Sequence, residues 1–201
     1  LWAAVQTTDY PRNGTVELEV RPPQATALPI LFRIPEWSQE TKVSVNGVLV
    51  EDVVPGTYLK IERTWNPGDK VTLEFDLRLR ALRGDQHVRF NTSLLRGPIL
   101  LTFDQKYNPM DPTDVPELDL ATLVLDPLPA DDPIVRDRPL GPIVALTTQS
   151  ADGDRLVLCD FGSAGAYGTL YRSWLPVRNS PLAPFQLQYP EANALLPVEE
   201  V

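Results

Sequence analysis

Cysteine and histidine are almost absent from this sequence, which disfavours several kinds of site. Cys159 is the single cysteine and His87 the single histidine among 201 residues. One cysteine cannot form an internal disulfide, and a structural zinc site needs several cysteine or histidine ligands. The sequence therefore predicts no metal site and no cofactor within this chain, and it leaves the redox compartment open.

Positive charge and long apolar runs are also scarce. The formal net charge is −9 and the sequence pI is about 4.6. Nucleic-acid binding needs a basic surface that displaces counterions from phosphate, and binding to anionic lipid headgroups has the same requirement. A membrane-spanning helix requires a stretch of about 18 apolar residues, and the sequence contains none. We therefore predict neither a nucleic-acid partner nor a membrane partner.

Room for long helices is limited, because 21 of the 201 residues are proline. Each proline lacks an N–H group and costs about 3 kcal/mol inside a helix. Period-two alternation is common instead, and side chains that alternate in this way belong to a half-buried strand. The clearest run has Val71, Leu73, Phe75, Leu77 and Leu79 on one face, and shorter runs surround Leu18, Ile30 and Ile61.

Turn residues separate these runs. Asn46-Gly47 predicts a hairpin, because both central residues of a type I′ turn need positive φ. Asn66-Pro67-Gly68-Asp69 predicts a second turn. In the second half we predict a central strand at residues 98–103, a strand pair at 143–148 and 155–160, and a last strand at 170–177. Residues 108–142 are predicted to be mostly loop, with one strand at 121–125.

Several segments, taken in order, resemble the C-terminal region of glycoside hydrolase family 127, the β-L-arabinofuranosidase-like proteins. They are Gln6-Thr7-Thr8-Asp9-Tyr10-Pro11, Phe32-Arg33-Ile34-Pro35-Glu36-Trp37, Val43-Ser44-Val45-Asn46-Gly47, Trp65-Asn66-Pro67-Gly68-Asp69, Leu95-Arg96-Gly97-Pro98 and Tyr171-Arg172-Ser173-Trp174-Leu175-Pro176-Val177. The resemblance covers about residues 1–178.

This resemblance implies an all-β chain of two antiparallel β-sandwich units, with the first inserted near the start of the second. The inserted unit would be residues 10–83, the second unit residues 1–9 plus 84–178, and the C-terminal tail residues 179–201. Residues 2–7 would then be a strand of the second unit. In the family an α/α barrel carries the catalytic residues, a zinc-held cysteine nucleophile and a glutamate acid/base, so none of them would lie in this chain.

The side chains with chemical potential each have an ordinary structural interpretation. Cys159 lies in an apolar run, which favours a buried thiol over a reactive one. His87 has no zinc-ligand or triad pattern around it. Three acidic pairs, Asp111/Asp114, Asp131/Asp132 and Asp152/Asp154, could bind Ca²⁺ through oxygen, but none has EF-hand spacing, and turn aspartates are the favoured interpretation.

Two hypotheses follow, and four aromatic residues bear on the choice. The first is a non-catalytic β-sandwich region that supports an α/α-barrel catalytic domain of the same parent protein. This chain alone would be inactive and would expose a surface that the barrel covers. The alternative is an independent β-sandwich module for carbohydrate binding or adhesion, in which exposed aromatic rings could stack on a glycan. For Trp37, Trp65, Trp174 and Tyr107, packing against a core edge is favoured over stacking on a sugar.

Overall fold

The computed structural model describes residues 2–84, 88, 91–129, 131–136 and 142–179, and these residues are almost entirely β-structure. The predicted all-β class is confirmed. In the described part, helix is limited to one turn of α-helix, α1 (Pro133–Arg136), and short 3-10 segments such as Pro112–Asp114. The strands are β1 (Ala3–Thr8), β2 (Thr15–Arg21), β3 (Thr26–Arg33), β4 (Lys42–Val45), β5 (Val48–Leu49), β6 (Tyr58–Trp65), β7 (Asp69–Glu74), β8 (Leu79–Arg83), β9 (Asn91–Arg96), β10 (Ile99–Asp104), β11 (Leu118–Asp119), β12 (Asp126–Pro127), β13 (Ala145–Gln149), β14 (Arg155–Asp160), β15 (Tyr171–Arg172) and β16 (Leu175–Arg178).

The first unit, strands β1 to β7, is a sandwich of two unequal sheets. The larger sheet has the order β1-β2-β7-β4-β5, and the smaller one is the pair β3-β6. Their facing side chains form one core, since alternate residues of each strand point inward. The core residues are Val20, Phe32, Ile34, Val43, Val45, Leu59, Ile61, Trp65, Val71 and Leu73.

Both predicted turns of the first unit are confirmed, and one carboxylate connects them. Asn46 and Gly47 have φ of 51° and 81° between β4 and β5. Asp69 accepts hydrogen bonds from the Asn46 side chain at 2.8 Å and from the Asn66 main-chain N–H at 2.9 Å. The Asn66 N–H, and then the Asn46 amide, lower the pKa of Asp69. The two turns therefore fold against each other.

The second unit, strands β8 to β16, surrounds a separate core. Its central path is β11-β16-β9-β10-β14-β13-β12, with β8 paired to β9 and β15 to β10, and only β11-β16 is parallel among these pairs. The predicted pair of strands at 143–148 and 155–160 is confirmed as β13 and β14. The segment after β10 contributes Val115, Leu118 and Leu120 to this core. The other core residues are Ala81, Leu94, Leu101, Phe103, Val144, Leu146, Leu156, Leu158 and Leu175.

The strand pairing differs from the predicted division of the chain. Residues 2–7 were expected in the second unit, but β1 pairs with β2 along its whole length, from Ala3↔Arg21 to Thr8↔Val16. This part of the prediction, and the insertion that depends on it, is wrong. A short turn at residues 9–14 joins β1 to β2, and Thr8 Oγ1 donates to Thr15 O across it at 2.6 Å, so the local hairpin forms.

Three predicted strands also change. The alternating run at residues 71–79 is two strands, because β7 ends at Glu74 and β8 starts at Leu79 in the other unit. Residues 79–83 therefore leave the predicted first unit. The strand expected at 121–125 is absent there, and β11 and β12 lie on either side of it. The last strand is interrupted into β15 and β16.

Within the described residues no helix is long and apolar enough to cross a membrane. Residues 180–201 of the predicted tail lie outside the described residues.

Candidate functional site

The two units meet at an aromatic joint, which we define as Tyr10, Trp37, Phe75, Leu77 and Gly97. The Phe75 ring lies 5.7 Å from that of Tyr10 and 5.9 Å from that of Trp37, centroid to centroid. Gly97 forms the turn between β9 and β10 and lies directly under Trp37 and Leu77. A Cβ atom at Gly97 would be 2.5 Å from Leu77 Cδ2 and 3.3 Å from Trp37 Cζ3. Close approach of the units thus depends on this residue having no side chain.

Two arginines add polar contacts to the aromatic joint. Arg96 Nη1 donates to the main-chain oxygen of Arg12 at 3.2 Å, and Arg80 Nη2 donates to that of Gly97 at 2.8 Å. Burial lowers the pKa of both guanidinium groups. A partly buried cation is costly unless it is hydrogen-bonded, so these carbonyl contacts help to fix the position of the turn.

We expect Gly97→Ala to lower the free energy of unfolding by about 2–4 kcal/mol, through left-handed backbone strain and overpacking against Leu77. Gly47→Ala is the matched control, since Gly47 also has positive φ, 81°, but nothing lies within 4 Å of its Cβ position. It should lose only about 1–2 kcal/mol. Urea unfolding followed by circular dichroism measures both values. Equal losses would show that the aromatic joint tolerates a methyl group.

A cleft of about 600 Å³ lies beside the aromatic joint. The hairpin between β1 and β2 lines one wall with Asp9, Arg12 and Asn13, and the second unit supplies an apolar wall that includes Leu128, Ile143 and Leu146. Arg12 Nη1 pairs with Asp9 Oδ1 at 3.0 Å. Clefts between domains often bind small molecules, and the lining of this one includes both polar and apolar side chains. Glycosidase chemistry needs two carboxyl groups that face the substrate, and Asp9 is the one carboxylate among the described lining residues.

The aromatic residues singled out in the sequence are packed rather than displayed. Trp65 is 0% exposed, and its Nε1 donates to the main-chain oxygen of Leu28 at 3.0 Å. Trp37 is half-buried in the aromatic joint. Trp174 and Tyr107 are half-buried in the second unit. The prediction of structural packing is confirmed for Trp65, which is completely buried and cannot stack on a sugar. Trp37 packs against Phe75 but remains partly exposed.

The acidic pairs form turns, as predicted. Asp111 accepts hydrogen bonds from Thr113 N at 2.8 Å and from Thr113 Oγ1 at 2.7 Å, and these contacts lower the pKa of Asp111. Asp132 accepts from Ile134 N at 2.9 Å at the start of α1. Asp152 and Asp154 lie in the β13-β14 connection, where their main-chain N–H groups donate to Ser150 Oγ. Within the described ranges, no three His, Cys, Asp or Glu side chains group as metal ligands.

Cys159 is buried, as predicted, while His87 lies outside the described residues. Cys159 is 0% exposed on β14. Burial first, and then the negative charges of Asp104 and Asp160, raise the pKa of the Cys159 thiol. A thiolate is the reactive form of cysteine, so this environment suppresses reaction.

We therefore expect Cys159 to resist a thiol reagent such as dithionitrobenzoate at pH 7–8 in the folded chain. One equivalent should react once denaturant exposes it, with at least a tenfold faster rate. Ala25→Cys, at an exposed position, is the control and should add one rapidly reacting thiol to the folded protein. Rapid, complete labelling of the unsubstituted folded chain would contradict a buried, protonated thiol.

Sequence reasoning missed a buried polar cluster of Asp104, Asn108 and Asp160, each at most 3% exposed. Asp104 accepts from the main-chain N–H groups of Lys106 and Gly165, and from Thr169 Oγ1. Asp160 accepts from Val144 N and Ser163 Oγ. Asn108 bridges β10 and β14 through Asp104 O and Val157. The signal is weak in sequence, because the partners are up to 65 residues away.

Comparison with known proteins gives a family match to part of the chain and several structures of similar fold. Residues 3–77 match the family described as beta-L-arabinofuranosidase, GH127 middle domain. No curated protein matches the chain. A solved structure described as a glycoside hydrolase superposes with a TM-score of 0.70 at 26% identity, over 88% of this chain and 32% of its own.

Two further solved structures show the same fold at lower identity. A GH127 β-L-arabinofuranosidase from Geobacillus stearothermophilus T6 has a TM-score of 0.70 at 22% identity, over 88% of this chain and 31% of its own. A GH127 β-arabinofuranosidase has a TM-score of 0.69 at 20% identity, over 91% of this chain and 33% of its own. The chain thus spans about a third of the length of these structures.

Proposed function

We propose that this chain is the non-catalytic β-sandwich region of a longer family 127-like glycoside hydrolase. Residues 3–77 match the GH127 middle domain, which confirms the predicted resemblance. The role of this chain is to support an α/α-barrel catalytic domain that lies outside these 201 residues. The observation that carries this proposal is the share of length. Structures similar along 88–91% of this chain are each about three times as long, so the similarity extends over about a third of their length.

The contacts within the chain agree with a supporting role. The two units are fixed to each other by the aromatic joint and by the hydrogen bond from Arg96 to the main-chain oxygen of Arg12. The carboxylates that the sequence singled out form turns and caps. The parent protein would hydrolyse β-L-arabinofuranosides, and any zinc would belong to the catalytic domain.

The test compares the parent protein with this chain on a chromogenic β-L-arabinofuranoside. We expect turnover by the parent and none above blank by residues 1–201 alone. A parent from which residues 1–201 are deleted should lose thermal stability or solubility. Turnover by the isolated chain, or a parent gene that encodes no helical barrel, would overturn the proposal.

A further inference from the structure

Two Asn-Gly pairs lie in turns of the first unit, Asn13-Gly14 between β1 and β2 and Asn46-Gly47 between β4 and β5. An asparagine that precedes glycine can react with its own backbone, because the glycine has no Cβ atom to shield its nitrogen. That nitrogen loses its proton and bonds to the side-chain carbonyl carbon, and the side-chain nitrogen leaves as ammonia. Water then opens the resulting succinimide ring to an aspartyl or an isoaspartyl residue.

Asn46 is exposed, but hydrogen bonds hold both ends of its side-chain amide. Its Nδ2 donates to Asp69 Oδ1 at 2.8 Å, and its Oδ1 accepts from the Lys70 main-chain N–H at 2.8 Å. The Asn46 main-chain N–H also donates to Lys70 O at 2.8 Å. The side-chain carbonyl carbon reaches the Gly47 nitrogen only by rotating out of both side-chain contacts. These contacts therefore protect Asn46 from the reaction.

Asn13 is also exposed, but its side-chain amide is held at one end. Its Oδ1 accepts from the Thr15 main-chain N–H at 3.0 Å, whereas its Nδ2 donates to no group in the described part of the chain. The Thr15 contact bends the side chain back over the Gly14 peptide, which keeps the carbonyl carbon near the attacking nitrogen. An N–H donor on that oxygen also stabilises the negative charge that develops there during attack.

The aromatic joint requires the glycine beside Asn13. A Cβ atom at Gly14 would collide with the carbonyl oxygen of Phe75, and Gly14 O accepts from Phe75 N at 2.9 Å. On the other side of Asn13, Arg12 O accepts the hydrogen bond from Arg96 of the second unit. The reactive pair thus lies between two main-chain contacts that hold the hairpin against the joint.

We propose that Asn13 is a site of spontaneous deamidation, and that its isoaspartyl product loosens the aromatic joint. The reaction consumes water, releases ammonia and adds one negative charge, and it does not depend on the proposed function of the chain. An isoaspartyl residue inserts an additional methylene group into the backbone between Arg12 and Gly14. This insertion displaces the main-chain oxygens that Arg96 and Phe75 contact. An ordinary aspartyl residue leaves the backbone length unchanged.

Incubation of the 201-residue chain at pH 8 and 37 °C, followed by peptide mapping with mass spectrometry, tests the reaction. The mass gain of each Asn-Gly peptide gives its rate. We expect Asn13 to react at least tenfold faster than Asn46 in the folded chain. In guanidinium chloride the two should react at similar rates, because the protecting hydrogen bonds are lost. Equal rates in the folded chain, or reaction of Asn13 only in denaturant, would overturn the inference.

The effect on the joint is measured on the product. Ion exchange separates chains with one more negative charge, and digestion identifies the fraction that carries isoaspartate at position 13. This fraction should unfold at a lower urea concentration than the unmodified chain. Asn13→Asp is the matched control, since it has the same charge and an ordinary backbone, and it should unfold near the unmodified chain. The same urea midpoint for the isoaspartyl fraction and for Asn13→Asp would contradict a loosened joint.

Discussion

Replacing Trp65 with alanine should lower the free energy of unfolding by about 3–5 kcal/mol, the usual cost of a large-to-small change in a packed core. Trp65 ends β6 and is the largest completely buried side chain of the first unit. Its ring packs between the two sheets, and Arg63 lies 5.3 Å from the ring centroid. The replacement would leave a cavity, and it would remove the indole hydrogen bond to Leu28 O.

Two further variants separate packing from hydrogen bonding and from exposure. Trp65→Phe keeps most of the apolar surface but loses the bond to Leu28, and should cost about 1–2 kcal/mol. Tyr58→Ala, at the 64% exposed start of the same strand, should cost less than about 0.5 kcal/mol. Urea unfolding of the three variants gives the comparison. A Trp65→Ala chain as stable as the Tyr58→Ala chain would contradict a large contribution of the Trp65 side chain to the core of the first unit.

The features predicted correctly from sequence are those that local chemistry determines. The Asn46-Gly47 hairpin follows from the φ preferences of two residues. The β13 and β14 strands follow from two apolar runs separated by a turn. Burial of Cys159 follows from its apolar neighbours. None of these needs information from a distant part of the chain.

The features predicted wrongly depend on contacts between distant segments. Alternation in residues 71–79 shows that the chain is extended, but it cannot show that the chain changes sheets. That change occurs near Asp76, whose main-chain N–H donates to Ser38 Oγ at 2.8 Å, 38 residues away. Likewise, the apolar character of residues 2–7 does not identify the partner strand. The turn at residues 9–14 reverses the chain, so that β2 lies beside β1 and pairs with it.

The resemblance to a family correctly indicated the all-β fold, but the division into units that it implied differs from the observed strand pairing, and it gave no basis for the aromatic joint. Gly97 appeared only as part of the Leu95-Arg96-Gly97-Pro98 segment. Its importance comes from Trp37 and Leu77, which are 60 and 20 positions earlier in the chain and lie against it in the folded structure. A close approach of this kind depends on tertiary structure and leaves no periodic pattern in sequence.

A second large loss of stability is expected in the buried polar cluster of Asp104, Asn108 and Asp160. There, Asp104→Ala should lower the free energy of unfolding by about 3 kcal/mol. The change leaves the N–H groups of Lys106 and Gly165 and the Thr169 hydroxyl without their acceptor, and a buried donor without a partner costs about 1–3 kcal/mol. Asp104 holds the glycine-rich segment of residues 161–170 against β10. We therefore expect faster hydrogen exchange in that segment, with the first unit unchanged.

Two controls make the Asp104 result specific. Asp104→Asn keeps the shape and one carbonyl acceptor, so it should lose about half as much stability as the alanine variant. Asp114→Ala, at an exposed position of the 3-10 turn, should lose less than about 0.5 kcal/mol. Exchange of residues 161–170 then decides between a local and a global effect. If Asp104→Ala left both stability and exchange unchanged, the segment would be held by its own turns, and the buried carboxylate would have no part in ordering it.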